Sequence, residues 1–123
     1  MIECIVVGLG GFLGAVSRYL IGLIPVREGM AFPIKTFVIN IIGSFAIGLI
    51  AAAAARAGAA DSRLVLFLKV GICGGFTTFS SFALETGDLV RGGNPGVASL
   101  YVILSLAAGV AAVFAGQWLI RQI

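Results

Sequence analysis

The stretch GICGGFTTFSSFALE, residues 71–85, stands out in an otherwise apolar chain. A glycine pair, Gly74 and Gly75, precedes Thr77, Thr78, Ser80 and Ser81, which are interleaved with Phe76, Phe79 and Phe82, and Glu85 closes the run. What such a run does depends on the solvent around it. Of the 123 residues, 60% are hydrophobic and 11% are charged, and the mean hydropathy is +1.16. Soluble domains carry about a quarter charged residues. This chain cannot cover itself with polar groups, so its solvent is lipid. The length fits a single domain, residues 1–123. The net charge of +3 reflects basic residues at membrane ends and does not point to nucleic acid.

Outward from the opening run, four stretches approach the ~20 apolar residues a helix needs to cross a bilayer. Residues 64–84 hold the run, up to its closing Glu85, near their end and carry Lys69 near their start. Residues 5–24 are interrupted only by Arg18, and residues 36–55 and 97–120 carry no charge. The connectors hold turn formers: Pro25, Gly29 and Pro33 in the first, Gly58 and Asp61 in the second, and RGGNPG at 91–96 in the third. Backbone groups in hydrocarbon must be satisfied internally, so four helices are expected, at about residues 4–24, 34–56, 64–90 and 97–121. The alternating ten-residue segments of a membrane barrel are missing. The opening MIEC has an acid where a cleaved signal peptide has bases.

GLGGFLG at 8–14 resembles a dinucleotide-binding loop, but the third glycine of that pattern falls on Leu13. Helix packing explains it better. Gly10 with Gly14, Gly71 with Gly75, Ser44 with Gly48, and Ala108, Ala112 and Gly116 are small residues at four-residue spacing, which lets transmembrane backbones approach closely. Basic residues orient a membrane protein, and here they nearly balance. Arg56, Arg63 and Arg121, joined by Lys69 if it sits at the helix end, fall on one side, against Arg27, Lys35 and Arg91 on the other. Such a chain is expected to insert both ways up and to pair as an antiparallel dimer.

Polar groups inside spans mark function. Asn40 suits an apolar helix only if it meets a neighbouring helix or a permeant species. Arg18 has two readings, snorkelling to the interface or attracting anions. The glycine pair beside Thr77 and Thr78 invites a break in the third helix near residues 74–78, near its centre, and freed carbonyls there could hold a small cation. Helical spacing places Phe76, Phe79 and Phe82 on one face and Thr78, Ser81 and Glu85 on an adjoining one. Phenyl edges are electropositive and hydroxyls donate. Side by side they could replace water around a small anion.

Together with TFVINIIGSFAIG (36–48) and GGFLGAVSRY (10–19), the opening run resembles the Fluc (CrcB) family of fluoride channels over nearly the whole chain. The resemblance implies an all-α membrane protein of four helices, the third broken, forming an antiparallel, dual-topology homodimer with two pores in a bacterial-type plasma (inner) membrane. It implies passive export of fluoride. Asn40 would donate its amide to the ion, and Phe79 and Phe82 would present ring edges. Thr78 and Ser81 would join the polar track, Glu85 would lie beyond it, and Tyr101 and Ser105 would belong to the pore wall. Arg18 would face a vestibule. Backbone carbonyls of Gly74 and Thr77, with those of a second copy, would bind a structural sodium ion. Where some members have a serine a turn after Ser105, this chain has Gly109, which offers no hydroxyl.

Enzyme chemistry finds no support: there is no histidine, and Cys4 and Cys73 stand singly in separate helices. A small dual-topology proton-coupled exporter shares the size and helix count but relies on a carboxylate embedded in its first helix. Here Glu3 sits at the chain's start and the first helix carries Arg18 instead.

Overall fold

Proline and glycine punctuation divides the chain into four helical spans, and the computed structural model, which describes residues 1–123, contains no strand. The first two spans are α1, Ile2–Gly22, and α2, Ile34–Arg56. The third consists of α3, residues 63–76, and α4, Phe79–Arg91; the fourth is α5, Pro95–Gln122. All four spans are long and apolar enough to cross a membrane.

The ends follow from local chemistry. After α2, Gly58 adopts φ +62 while its N–H reaches Ala55 O and that of Ala59 reaches Ala54 O. Gly93 repeats the pattern after α4 with φ +82, the Asn94 N–H bonding Leu89 O. Glycine occupies this left-handed position because it has no Cβ to oppose it. Pro95 then opens α5, where a missing N–H costs nothing. Ser62 caps α3 by accepting from the Val65 N–H.

Small residues weld the helices in pairs. A Cβ on Gly10 of α1 would lie 2.5 Å from Phe67 O and 2.9 Å from Gly71 Cα of α3. Between α2 and α5, a Cβ on Gly116 would lie 2.8 Å from Leu49 N, and one on Gly48 would meet Val113. GLGGFLG lies inside α1 rather than in a strand-to-helix loop, so its glycines serve packing. Much of α3, Leu66–Cys73, is wound as a wide π-helix. Few side chains are buried; Tyr101 is fully enclosed, whereas Phe12, Phe114 and Trp118 are 60% or more exposed. That outer surface is built for hydrocarbon.

Helical conformation lapses at Thr77 (φ −80, ψ 158) and Thr78 (φ −150, ψ 116), between α3 and α4. The glycine pair itself stays helical. Gly75 is small for another reason: its Cβ would lie 2.5 Å from Gly11 O. The extended residues are the β-branched threonines, whose side chains suit extended backbone.

Gly10→Ala should therefore cost about 1–3 kcal/mol, the usual penalty of overpacking, read as a lower thermal unfolding midpoint in detergent. Gly8→Ala, at a position where a Cβ meets nothing within 4 Å, should melt like the unaltered chain.

Candidate functional site

In a continuous helix the Thr78 N–H would bond Gly74 O. It donates instead to Asn40 Oδ1 at 2.8 Å, and Asn40 Nδ2 donates back to Thr78 O at 3.1 Å. One side-chain amide thus acts on Thr78 as a neighbouring strand would. Asn40 keeps a second N–H for another acceptor. Next, the Ser81 N–H bonds Thr78 Oγ1 at 3.2 Å, capping α4 rather than extending the turn to Thr77 O. The carbonyls of Gly74 and Thr77 are therefore released from helical bonding. Thr77 Oγ1 closes α3 onto Cys73 O at 2.8 Å, and Thr78 Oγ1 donates to Ser81 Oγ at 3.1 Å.

Around this irregular pair lies a cavity of about 340 Å³. Asn40 and Ser44 of α2, Thr77 and Thr78, Phe79 and Phe82 of α4, and Ser105 of α5 line it. Its polar groups are all uncharged. Ser105 Oγ is buried and has no hydrogen-bond partner. Phe79 and Phe82 stand 5.7 Å apart, ring to ring, and Phe82 stacks on Tyr101 at 5.1 Å. Phe79 is 77% exposed. Because Thr77 and Thr78 are extended, Phe76 belongs to α3 and does not continue the Phe79–Phe82 face of α4.

A second cavity, about 760 Å³, opens between α1, the first connector and α2, with Arg18, Lys35, Thr36 and Glu85 in its wall. Glu85 accepts from Thr36 Oγ1 at 2.6 Å and from the Tyr101 hydroxyl at 2.9 Å, joining α4 to α2 and α5. Arg18 Nε donates to Gly75 O at 3.1 Å, and Lys35 Nζ to Gly22 O at 2.6 Å. Tyr101 links the two spaces, its ring on Phe82 and its hydroxyl on Glu85.

The site residues named from sequence thus divide. Asn40, Gly74, Thr77, Thr78, Phe79, Phe82 and Ser105 surround the first cavity; Arg18 and Glu85 line the second. Ser81 lines neither and contributes through its bonds to Thr78. Asn40 does more than offer an amide, since it holds the main chain of Thr78. Gly109 faces Ser44, whose Oγ would lie 3.7 Å from a Cβ there. Thr36 was not singled out from sequence, and Ser44 was read there only as a small packing residue with Gly48. Their spacing of four from Asn40, one polar stripe on an apolar helix, was the available signal.

Four apolar spans, the last three of which line a cavity with uncharged polar groups, define a small multi-pass membrane protein with a polar site among its spans. Residues 5–117 match the family model described as CrcB-like protein, Camphor Resistance (CrcB), and the chain belongs to that family. A protein of Chlorobaculum tepidum is 46% identical over 98% of this chain and 96% of its own length. One from Agrobacterium fabrum is 44% identical over 100% of this chain and 99% of its own. A third, from Rhodopseudomonas palustris, is 47% identical over 97% of both. Each of the three is named fluoride-specific ion channel FluC.

Tyr101→Phe removes one of two hydroxyls held on the Glu85 carboxylate. It should cost about 1.5 kcal/mol, the worth of a hydrogen bond to a charged group, measured as a lowered unfolding midpoint in detergent.

Proposed function

We propose that this chain is a passive fluoride channel that exports fluoride across a bacterial-type plasma (inner) membrane as an antiparallel, dual-topology homodimer. The observation that carries the proposal is the first cavity, inside the spans, where amide, hydroxyls and phenyl rings gather without one charged side chain. An ion leaving water for a low-dielectric medium loses solvation worth on the order of tens of kcal/mol. Donors held in place must replace that water yet let the ion go. Neutral donors strike this balance, whereas a buried lysine or arginine would hold an anion fast. The choice of fluoride among small anions comes from the names of the relatives.

In this mechanism Arg18 and Lys35 make the second cavity a vestibule that attracts anions, with Glu85, held by the Tyr101 hydroxyl, in its wall. The ion then meets the free N–H of Asn40, the hydroxyls of Thr78 and Ser105, and the ring edges of Phe79 and Phe82, with Ser81 acting through its bonds to Thr78. Exposure of Phe79 supports a second copy completing the wall. The extended pair Thr77–Thr78 is the proposed break of the third helix. Carbonyls of Gly74 and Thr77, released from helical bonding, are hard oxygen ligands suited to sodium, and Gly74 has open space before it. Two such carbonyls from each copy would hold the ion, whose charge would fasten the dimer. Proton-coupled export lacks its central group, since Glu3 is exposed at the start of α1 and pairs with Arg63 at 3.5 Å.

Liposomes containing only this purified chain should release fluoride rapidly and chloride hardly at all, with no pH gradient. Phe79→Ile or Phe82→Ile should slow release up to about tenfold, the rate equivalent of one lost aromatic interaction. Fluoride release no faster than from empty vesicles, or release that requires a pH gradient, would refute the proposal.

A further inference from the structure

Thr36, Asn40 and Ser44 recur every four residues and share one face of α2. Thr36 holds the carboxylate of Glu85 and Asn40 holds the main chain of Thr78. Ser44 makes no hydrogen bond within the chain. It even forgoes the bond to the carbonyl four residues back that Thr77, Thr86 and Ser99 make. Its side chain lines the same cavity as Asn40 and Ser105, and Ser105 Oγ is buried without a partner. Two partnerless hydroxyls, from α2 and from α5, thus bound one space inside the spans. The unmade hydrogen bond at the buried Ser105 Oγ calls for an explanation.

Gly109 completes the arrangement. It follows Ser105 by four residues, on the same face of α5. The only atom within 4 Å of a Cβ placed there is Ser44 Oγ, at 3.7 Å. The missing side chain leaves room in front of Ser44 and keeps its hydroxyl open to the cavity.

We propose that Ser44 and Ser105 form a two-hydroxyl resting place for a small hard anion, with Ser44 supplying from α2 the donor that Gly109 cannot supply from α5. Fluoride as the occupant rests on the channel proposed above. Both hydroxyls donate toward the ion, which arrives from the Asn40 amide one helical turn away. Ser44 therefore helps determine which anions pass, because a weakly basic anion such as chloride gains less from a hydroxyl donor.

The test is fluoride efflux from liposomes with chloride as control, with the thermal midpoint of each variant recorded in detergent. Ser44→Ala should slow fluoride about tenfold, the equivalent of one lost charge-assisted hydrogen bond, and leave the midpoint unchanged because no bond within the chain is lost. Gly109→Ala, which fits at ordinary contact distance and spares the hydroxyl, should conduct like the unaltered chain. Adding Gly109→Ser to Ser44→Ala should recover fluoride release by returning a hydroxyl from the facing helix. If the unaltered chain conducts and Ser44→Ala matches it, or if Ser44→Ala slows release while lowering the midpoint, the proposal fails and the channel stands. Failure of Gly109→Ser to restore release overturns the exchange between the two positions. An unaltered chain that conducts no fluoride removes both the channel and the resting place.

Discussion

Two hydrogen bonds between the Asn40 side chain and the main chain of Thr78 govern the middle of this molecule. Backbone that leaves helical geometry inside a membrane must find other partners, because hydrocarbon offers none. The Asn40 amide is both donor and acceptor, so it can satisfy both groups of one residue at once. With Thr78 held extended, Gly74 O is released, Thr78 Oγ1 becomes the cap of α4, and Phe79 begins a helix with a new register. That single local exchange places the Thr78 and Phe79 side chains at the cavity.

The surrounding frame is built from close approach rather than from a large apolar core. Lipid tails are as apolar as leucine, so burying leucine between helices gains little. Instead, backbones touch at Gly10, Gly71 and Gly75 between α1 and α3, and at Gly48 and Gly116 between α2 and α5. Between α2 and the third span the close approach is at Gly43, where an added Cβ would strike the Thr77 methyl. That closeness lets a short amide side chain such as Asn40 reach Thr78. Glu85, tied to Thr36 and Tyr101, adds a second polar clasp between the same helices.

The four apolar spans were legible in sequence because lipid imposes length and hydropathy on every crossing element. Small-residue spacing announced the helix contacts, since only glycine permits them. Asn40, Thr78 and the Phe79–Phe82 pair, which the structure brings to one cavity, stood out as polarity and aromatic spacing in greasy surroundings. The partners of those residues were not legible. Whether Asn40 serves a backbone or an ion depends on which residue stands 38 positions later in sequence and 3 Å away in space. The glycine pair misled in one respect: Gly75 is small because of Gly11 on another helix, while the extended conformation belongs to the threonines. Thr36 drew no notice, and Ser44 only as a small packing residue, because a lone hydroxyl in a helix ordinarily bonds its own backbone, which these two do not.

Amide hydrogen exchange at Thr78 tests the central constraint most directly. In the unaltered chain this N–H, although outside any helix, should be protected by Asn40 Oδ1. In Asn40→Ala it should exchange about tenfold faster or more, given the ~1.5 kcal/mol such a bond contributes, while amides within α1 keep their rates. Equal Thr78 exchange with and without the Asn40 side chain would contradict the account.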